Sequence, residues 1–96
     1  MITQQHWTAS GFANTDLDFL LKKYEINSVV IAGMRANTCI ESTCRYAIEL
    51  GYHVTLIKDA IGSFNWDEMK ATIEINFPAF GHRVQTTQEF ITELSL

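Results

Sequence analysis

The sequence predicts an α/β fold with a three-layer, Rossmann-like parallel sheet, and three observations support this. Helical and strand patterns alternate along the chain in the order αβαβαβα. The first strand segment, Ser28–Gly33, is a continuous apolar run rich in β-branched residues, which is typical of strands in parallel sheets. Gly51 stands where a glycine ends the second helix. These features indicate parallel βαβ units with right-handed crossovers.

The helices are predicted by apolar stripes of helical period and by capping residues at their starts. The third helix is expected to end before Pro78, with Trp66, Met69 and Ile73 facing inward. On the second helix, Glu41 is expected on a solvated face. The four start signals are Thr15 with Asp18, Thr38 with Glu41, Asn65 with Glu68, and Thr86 with Glu89.

The remaining strands are predicted at His53–Ile57, followed by a loop over Asp59–Ser63, and at His82–Gln85. Three parallel strands make a small sheet. The most apolar of them, the first, is expected to have both faces covered and yet to lie at an edge with unpaired N–H and C=O groups. Residues 1–96 are therefore interpreted as one domain that lacks its N-terminal half. A companion chain or a second copy of this chain would complete the sheet.

The net charge and the cysteine content argue against several classes of partner and site. Eleven acidic against seven basic residues give a formal charge of −4, which argues against nucleic acid and anionic membranes as partners. No signal peptide or membrane-spanning segment is recognised, so we expect a cytoplasmic location. Two cysteines five residues apart, Cys39 and Cys44, fit neither a disulfide framework nor a zinc site. No metal and no cofactor are predicted.

Cys39 is the candidate nucleophile. It is expected at the first helical position after Thr38, at the carboxyl end of a strand, where open α/β sheets bind ligands. The positive end of the helix dipole favours a thiolate there, and backbone N–H groups of the same turn could hold an oxyanion. From spacing alone, Cys39 as a small packed residue remains an alternative. Cys44 lies in the inner stripe of the helix and is expected in the core.

Several segments together resemble the isochorismatase-like cysteine hydrolases. Ser10–Asp18 resembles their S-x-F-x-x-T-x-L segment, and Ala32–Ile40 resembles their G-x-x-x-x-x-C-V segment. Thr43, Ala47 and Gly51-Tyr52 match T-x-x-x-A-x-x-x-G-Y, and Asp59-Ala60 matches the D-A after the next strand. The resemblance extends from about His6 to Ile91.

This resemblance implies a doubly wound α/β fold and a Cys-Asp-Lys triad with Cys39 as the nucleophile. It also implies an oxyanion hole from the backbone N–H groups of Arg35 and Cys39, and a non-proline cis bond at Met34–Arg35. The family's Asp lies in a half of the domain that these residues do not cover. No Lys stands at the family's Lys position, where His6 is nearest. The metal site of the nicotinamidase branch also belongs to the other half.

Each of the weaker candidate residues has an alternative interpretation without a role in binding. His6 could donate hydrogen bonds or be an exposed terminal residue, and Trp7, Phe12 and Trp66 could line a pocket or pack in the core. Arg35 could meet an anionic substrate or be a solvated loop residue. His53 and His82 have no companion ligands nearby in the sequence.

The sequence leaves three hypotheses for the function of the protein. The first is a hydrolase that cleaves a small amide or related carbonyl substrate through a Cys39 thioester. The second is a catalytically inactive truncated half-domain that acts only through association with itself or another chain. The third is a thiol redox role, against which the missing second cysteine of a C-x-x-C pair argues. The sequence does not name the substrate.

Overall fold

The described part of the chain folds around a three-stranded parallel sheet. A computed structural model describes residues 8–95. The strands are β1 (Ser28–Met34), β2 (His53–Gly62) and β3 (Arg83–Gln85), and they lie in the order β1-β2-β3. Both strand pairs are parallel. The predicted α/β class and parallel sheet are confirmed.

The helices alternate with the strands as predicted. Two turns of wider, π-type helix extend them: residues Ala36–Ile40 lead into the second α-helix, and residues Ala71–Asn76 join the third to the fourth. Each is continuous with its neighbours, so the order αβαβαβα is confirmed. The α-helices are α1 (Leu17–Lys23), α2 (Glu41–Glu49), α3 (Trp66–Lys70), α4 (Phe77–Phe80) and α5 (Thr87–Leu94). None of the helices within residues 8–95 has the length and apolar character needed to cross a membrane.

The two strands β1 and β2 differ in how they are covered. Residues 54–57 of β2 are all buried, and because alternate residues point to opposite faces, both faces of β2 are covered there. In β1 the burial alternates: Val29 and Ile31 are partly buried, whereas Val30 is 42% exposed. Within residues 8–95, β1 pairs with β2 alone. The expected edge position of β1 is confirmed, and the expectation that both its faces are covered is wrong for this chain.

Some of the predicted helix ends are confirmed and others are wrong. The capping box of Thr86 and Glu89 is present at α5, and the Asn65 side chain accepts the N–H of Glu68 at α3. At α1 the N-cap position is Asp16, one residue after the predicted Thr15, although the Thr15 hydroxyl accepts the N–H of Leu17 at 3.2 Å. The predicted cap at Thr38 is wrong, because Arg35 is the N-cap of the turn before α2 and its side chain does not cap that turn.

The end of α2 follows the prediction closely. Gly51 has φ +98°, a left-handed conformation that glycine adopts without a Cβ clash. Two reverse hydrogen bonds close the helix, from Gly51 N–H to Ile48 O and from Tyr52 N–H to Ala47 O. This is a Schellman motif, and it places Tyr52 in the core just before β2.

Two boundaries differ from the prediction. β2 continues to Gly62, through the residues expected to form a loop, because Gly33 and Met34 of β1 pair with Ile61 and Gly62. The third helix does not end before Pro78. A π-type turn precedes α4, and the proline lies in the first turn of α4.

The core lies between the sheet and the helices α1, α2 and α4. Cys44, Ala47, Val54 and Leu56 are fully buried within it, which confirms the core position expected for Cys44. Trp66 was expected to face inward and is instead 65% exposed, while Met69 and Ile73 pack against the core as expected.

Candidate functional site

The candidate site lies at the carboxyl end of β1. The register between β1 and β2 shifts between Ile31 and Gly33, and Gly33 takes φ +120°, which a residue with a Cβ rarely adopts. The Met34–Arg35 peptide bond is cis, as the sequence resemblance implied. The chain then turns directly into the helical segment at Ala36. The end of an edge strand therefore passes straight into the turn that carries the cysteine.

Cys39 lies in the π-type turn Ala36–Ile40 and not at the first helical position, so the sequence prediction is wrong in this detail. The Arg35 carbonyl oxygen accepts the N–H groups of Thr38 and Ile40, at 3.2 and 3.1 Å, which sets the wider turn. The Cys39 side chain is partly exposed, and the Thr38 hydroxyl lies 3.8 Å from its Sγ. A partly exposed thiol is open to a reagent from solvent.

Thr43 connects the Cys39 turn to the Ser10–Thr15 segment. Its hydroxyl donates to the Cys39 carbonyl oxygen at 2.7 Å and accepts the Gly11 N–H at 3.0 Å. The segment is held internally as well, since the Ser10 Oγ accepts the Phe12 N–H at 2.9 Å. Sequence reasoning assigned Thr43 no role, although its position four residues after Cys39 on a helix is the signal for such a back-bond.

Arg35 is neither a solvated loop residue nor a free cation. Its Nε and Nη2 atoms donate to the two carboxylate oxygens of Glu68, at 3.2 and 2.9 Å. The guanidinium also lies over the Phe64 ring, 4.0 Å from the centroid. Hydrogen bonds from Arg35 and from the Ser63 hydroxyl lower the pKa of Glu68 to about 2, so the carboxylate is charged at neutral pH.

The loop between β2 and α3 completes this side of the site. The Ser63 hydroxyl donates to Glu68, and its Oγ lies 3.2 Å from Oδ1 of Asn37 in the Cys39 turn. Glu68 Oε1 also accepts the Phe64 N–H at 3.4 Å. The sequence indicated Glu68 only as part of a helix start. Its ion pair spans 33 residues, so no local pattern could predict it.

Phe12, His53 and His82, the other sequence candidates discussed for binding, have partners elsewhere in the fold. His6 and Trp7 lie outside the described residues. Phe12 is 5% exposed and stacks on Tyr52 at 5.8 Å, so it is a core residue with little area left for a ligand. The rings of His53 and His82 stack at 4.4 Å near the start of β2, and His82 Nδ1 accepts the Val54 N–H at 3.0 Å.

Cys44 is chemically distinct from Cys39. Its side chain is fully buried, and this burial raises the pKa of the Cys44 thiol to about 12. The nearby Glu41 carboxylate adds to the shift. Glu41 itself is 8% exposed and accepts hydrogen bonds from Thr72 and Asn76, so its predicted place on a solvated face is wrong.

Two further features bear on ligand binding. A shallow cavity of about 210 Å³ lies at the amino ends of β1 and β2, at the opposite end of the sheet from Cys39. Across residues 8–95, no group of three His, Cys, Asp or Glu side chains is placed to hold a metal ion. The cavity is lined by Lys22, Glu25, Ile26, Asn27, Gly51 and Tyr52.

The relationship to known proteins follows from both sequence and structure. The model of the isochorismatase domain family matches residues 1–89 of the chain. The chain belongs to the isochorismatase family. Its sequence is 38% identical over 93 residues to YwoC, an uncharacterised isochorismatase family protein of Bacillus subtilis. The aligned region covers 97% of this chain and 48% of YwoC.

Two further relatives extend the comparison within the isochorismatase family. The ureidoacrylate amidohydrolase RutB of Caulobacter vibrioides is 35% identical over 81 residues, covering 84% of this chain and 36% of RutB. The crystal structure of an isochorismatase-like hydrolase from Alkaliphilus metalliredigens superposes with a TM-score of 0.89 at 31% identity, over 94% of this chain and 48% of that one. The chain thus spans about half the length, or less, of the relatives it matches.

Proposed function

We propose that this chain is the nucleophile-bearing half of an isochorismatase-family cysteine hydrolase, with Cys39 as the attacking group. The observation that carries the proposal is the position of Cys39. Its thiol is partly exposed on the turn that directly follows the carboxyl end of β1, which is where open parallel sheets bind ligands. The family resemblance through this same segment supports it.

The proposed reaction is acyl transfer. The Cys39 thiolate attacks the substrate carbonyl carbon, and the negative charge moves to the carbonyl oxygen, which the backbone N–H groups of Arg35 and Cys39 receive. The C–N bond then breaks, and the amine leaves with the proton that the Cys39 thiol gave up when it became a thiolate. Water hydrolyses the resulting Cys39 thioester, which releases the carboxylic acid and restores the thiol. The proton carriers that the resemblance implies are an Asp and a Lys, and within residues 8–95 neither is hydrogen-bonded to Cys39.

The open edge of β1 supports the proposal that another half-domain completes the site. Val30 and Met34 are 42% and 66% exposed on this strand, and the edge beyond them has no partner within residues 8–95. The relatives are about twice as long as the matched region. We propose that a companion half, or a second copy of this chain, adds strands here and brings polar groups beside Cys39.

The substrate proposed is a small amide or a related carbonyl compound. RutB is named a ureidoacrylate amidohydrolase and is 35% identical to the matched region, which favours an amide or ureido group over an ester. No cofactor takes part in this proposal. Because both cysteines are unpaired thiols, we also propose a reducing, cytoplasmic setting.

A second candidate is an inactive half-domain that acts through association alone. It is favoured by the hydrogen bonding of Cys39: within residues 8–95 the hydroxyl of Thr38, 3.8 Å from the sulfur, is the side-chain group that bonds to it, and no hydrogen bond joins the thiol to a carboxylate, histidine or lysine. In that case the exposed β1 edge is the functional part of the molecule.

Acylation by p-nitrophenyl acetate separates the two candidates. This ester needs no general acid, because nitrophenolate leaves without a proton. We expect a burst of one equivalent and an acetyl group mapped to Cys39 by mass spectrometry. Cys39→Ala should abolish the burst and Cys44→Ala should retain it. A burst that survives Cys39→Ala, or no acyl group on Cys39, would support the inactive half-domain.

The association proposal has its own measurement. Light scattering after size exclusion gives the mass of the purified chain as a function of concentration. We expect a mass above that of a single 10.9 kDa chain. Val30→Lys, which adds a charge to the exposed edge, should shift the distribution to monomer. A monodisperse monomer at all concentrations would count against self-association through β1.

A further inference from the structure

We propose that Arg35 and Glu68 form a closed, charge-neutral clamp that positions the Cys39 turn and makes the site selective for substrates that carry no anionic group near the reacting carbonyl. The inference rests on the proposed function, since it concerns the same site. It deepens that proposal by assigning Arg35 a positioning role in place of the anion-binding role that its sequence position suggested.

The geometry of the pair is that of a fixed clamp. The two hydrogen bonds from Arg35 to Glu68, at 3.2 and 2.9 Å, use both carboxylate oxygens, a bidentate arrangement that fixes orientation as well as distance. The Arg35 guanidinium carbon also lies 4.0 Å from the centroid of the Phe64 ring, so the ring packs against the face of the guanidinium. The side chains of Arg35 and Glu68 are only 32% and 20% exposed.

The clamp joins the turn that carries Cys39 to the first turn of α3. Arg35 stands at the start of the Cys39 turn, and its carbonyl organises that turn through Thr38 and Ile40. Glu68 stands in the first turn of α3, where Asn65 caps its N–H. The ion pair therefore fixes the backbone that carries the proposed oxyanion donors against a helix from a different part of the chain.

The same contacts remove Arg35 as an anion receptor. A guanidinium that binds a carboxylate through two donors is already neutralised, and an incoming anion would have to displace Glu68. Ser63 also donates to Glu68 and so holds the carboxylate in place. A neutral amide can bind without displacing Glu68, because it does not need a cation as its partner. The local charge beside Cys39 should thus be close to zero.

The experiment compares two alkylating reagents of similar size and different charge on the purified chain. The rate of Cys39 modification is measured with neutral iodoacetamide and anionic iodoacetate at low ionic strength, by peptide mapping. Variants are Glu68→Gln, Arg35→Gln, the double variant and, as a control that removes the same charge elsewhere, Glu93→Gln on the exposed pair with Arg83.

We expect Glu68→Gln to raise the iodoacetate to iodoacetamide rate ratio roughly threefold or more, because it uncovers a cation beside the thiol. Arg35→Gln should lower the ratio by a similar factor. The double variant and Glu93→Gln should stay within about twofold of the wild type. Unchanged ratios in both single variants would overturn the neutral clamp.

Hydrogen exchange tests the positioning role independently of thiol chemistry. Glu68→Gln should speed amide exchange across residues 36–40 at least threefold and leave α5 unchanged, and Glu68→Asp should restore part of the protection. Unchanged exchange would overturn the positioning role even if Cys39 reacts. A Cys39 that is inert to both reagents, with exchange that depends on Glu68, would instead refute the proposed hydrolase and leave the clamp standing.

Discussion

Thr43→Val tests the link between the Ser10–Thr15 segment and the Cys39 turn. Valine keeps the shape and the β-branched rotamer of threonine and removes the hydroxyl. Two hydrogen bonds are lost, from the Gly11 N–H at 3.0 Å and to the Cys39 carbonyl at 2.7 Å. At a net value of about 0.5–1.5 kcal/mol each, the free energy of unfolding should fall by roughly 1–3 kcal/mol. In a domain of this size, Tm falls by about 4–8 °C for each kcal/mol.

The assay pairs stability with a local probe. Urea denaturation gives the change in unfolding free energy, and amide exchange read by NMR gives the protection of the Gly11 N–H. Thr43→Ser keeps the hydroxyl and should keep that protection, whereas Thr43→Val should lose it. A Gly11 amide that stays equally protected in the valine variant, or a stability change below about 0.5 kcal/mol, would refute the bridging role of Thr43.

Three further predictions concern the fold and its charges. The pKa of Glu68 is lowered from 4.5 to about 2 by its bonds to Arg35 and Ser63, so the pair stabilises the fold above pH 4.5 and this contribution is lost as the pH falls towards 2. Acid denaturation followed by circular dichroism should therefore be less steep in that window for Glu68→Gln than for the wild type; identical curves would contradict this. Glu25→Gly should raise the free energy of unfolding by roughly 1 kcal/mol and so raise the urea midpoint. The reason is that Glu25, just after α1, has φ +59°, a left-handed conformation that glycine adopts without a Cβ clash. A lower midpoint would count against it. Gly81→Ala should destabilise by about 1–3 kcal/mol, since its Cβ would lie 2.1 Å from Cζ of Phe77. Adding Phe77→Ala should remove that extra cost, and simple additivity in the double variant would show that the ring is not the cause.

The sequence predicted those parts of the fold whose causes lie within a few residues. The capping box of Thr86 and Glu89 needs only a three-residue spacing, and it is present. The glycine end of α2 at Gly51 and the order of strands and helices are confirmed for the same reason. Parallel pairing follows from that order, since a helix between two strands leaves room for a crossover.

The failures lie where distant residues compete with local patterns. Glu41 has the spacing of a capping residue and of a solvated helical face. In the fold it is buried and binds Thr72 and Asn76, which lie 31 and 35 residues further along the chain. Pro78 predicted a helix end, yet a π-type turn ahead of it allows the helix to resume. Such outcomes depend on tertiary packing, which a single sequence does not display.

The candidate site was predictable in outline but not in its contacts. The sequence pattern predicted Cys39 at the start of the helix that follows β1, and the structure has it within the first helical turn or so of that segment. The resemblance implied the cis bond at Met34–Arg35. The partner of Arg35 was not predictable, because Glu68 is 33 residues away and already had a local explanation at the start of α3. The role of Cys39 as nucleophile stays a prediction until acylation is measured.

The separation of the two thiols also decides how the chain responds to oxidants. A sulfenic acid formed on Cys39 is resolved by a neighbouring thiol where one is within reach. Cys44 cannot serve, because it is fully buried and its thiol pKa is about 12, and the chain has only these two cysteines. Oxidised Cys39 must therefore be capped by a small thiol such as glutathione, join a second chain through a disulfide, or proceed irreversibly to the sulfinic acid.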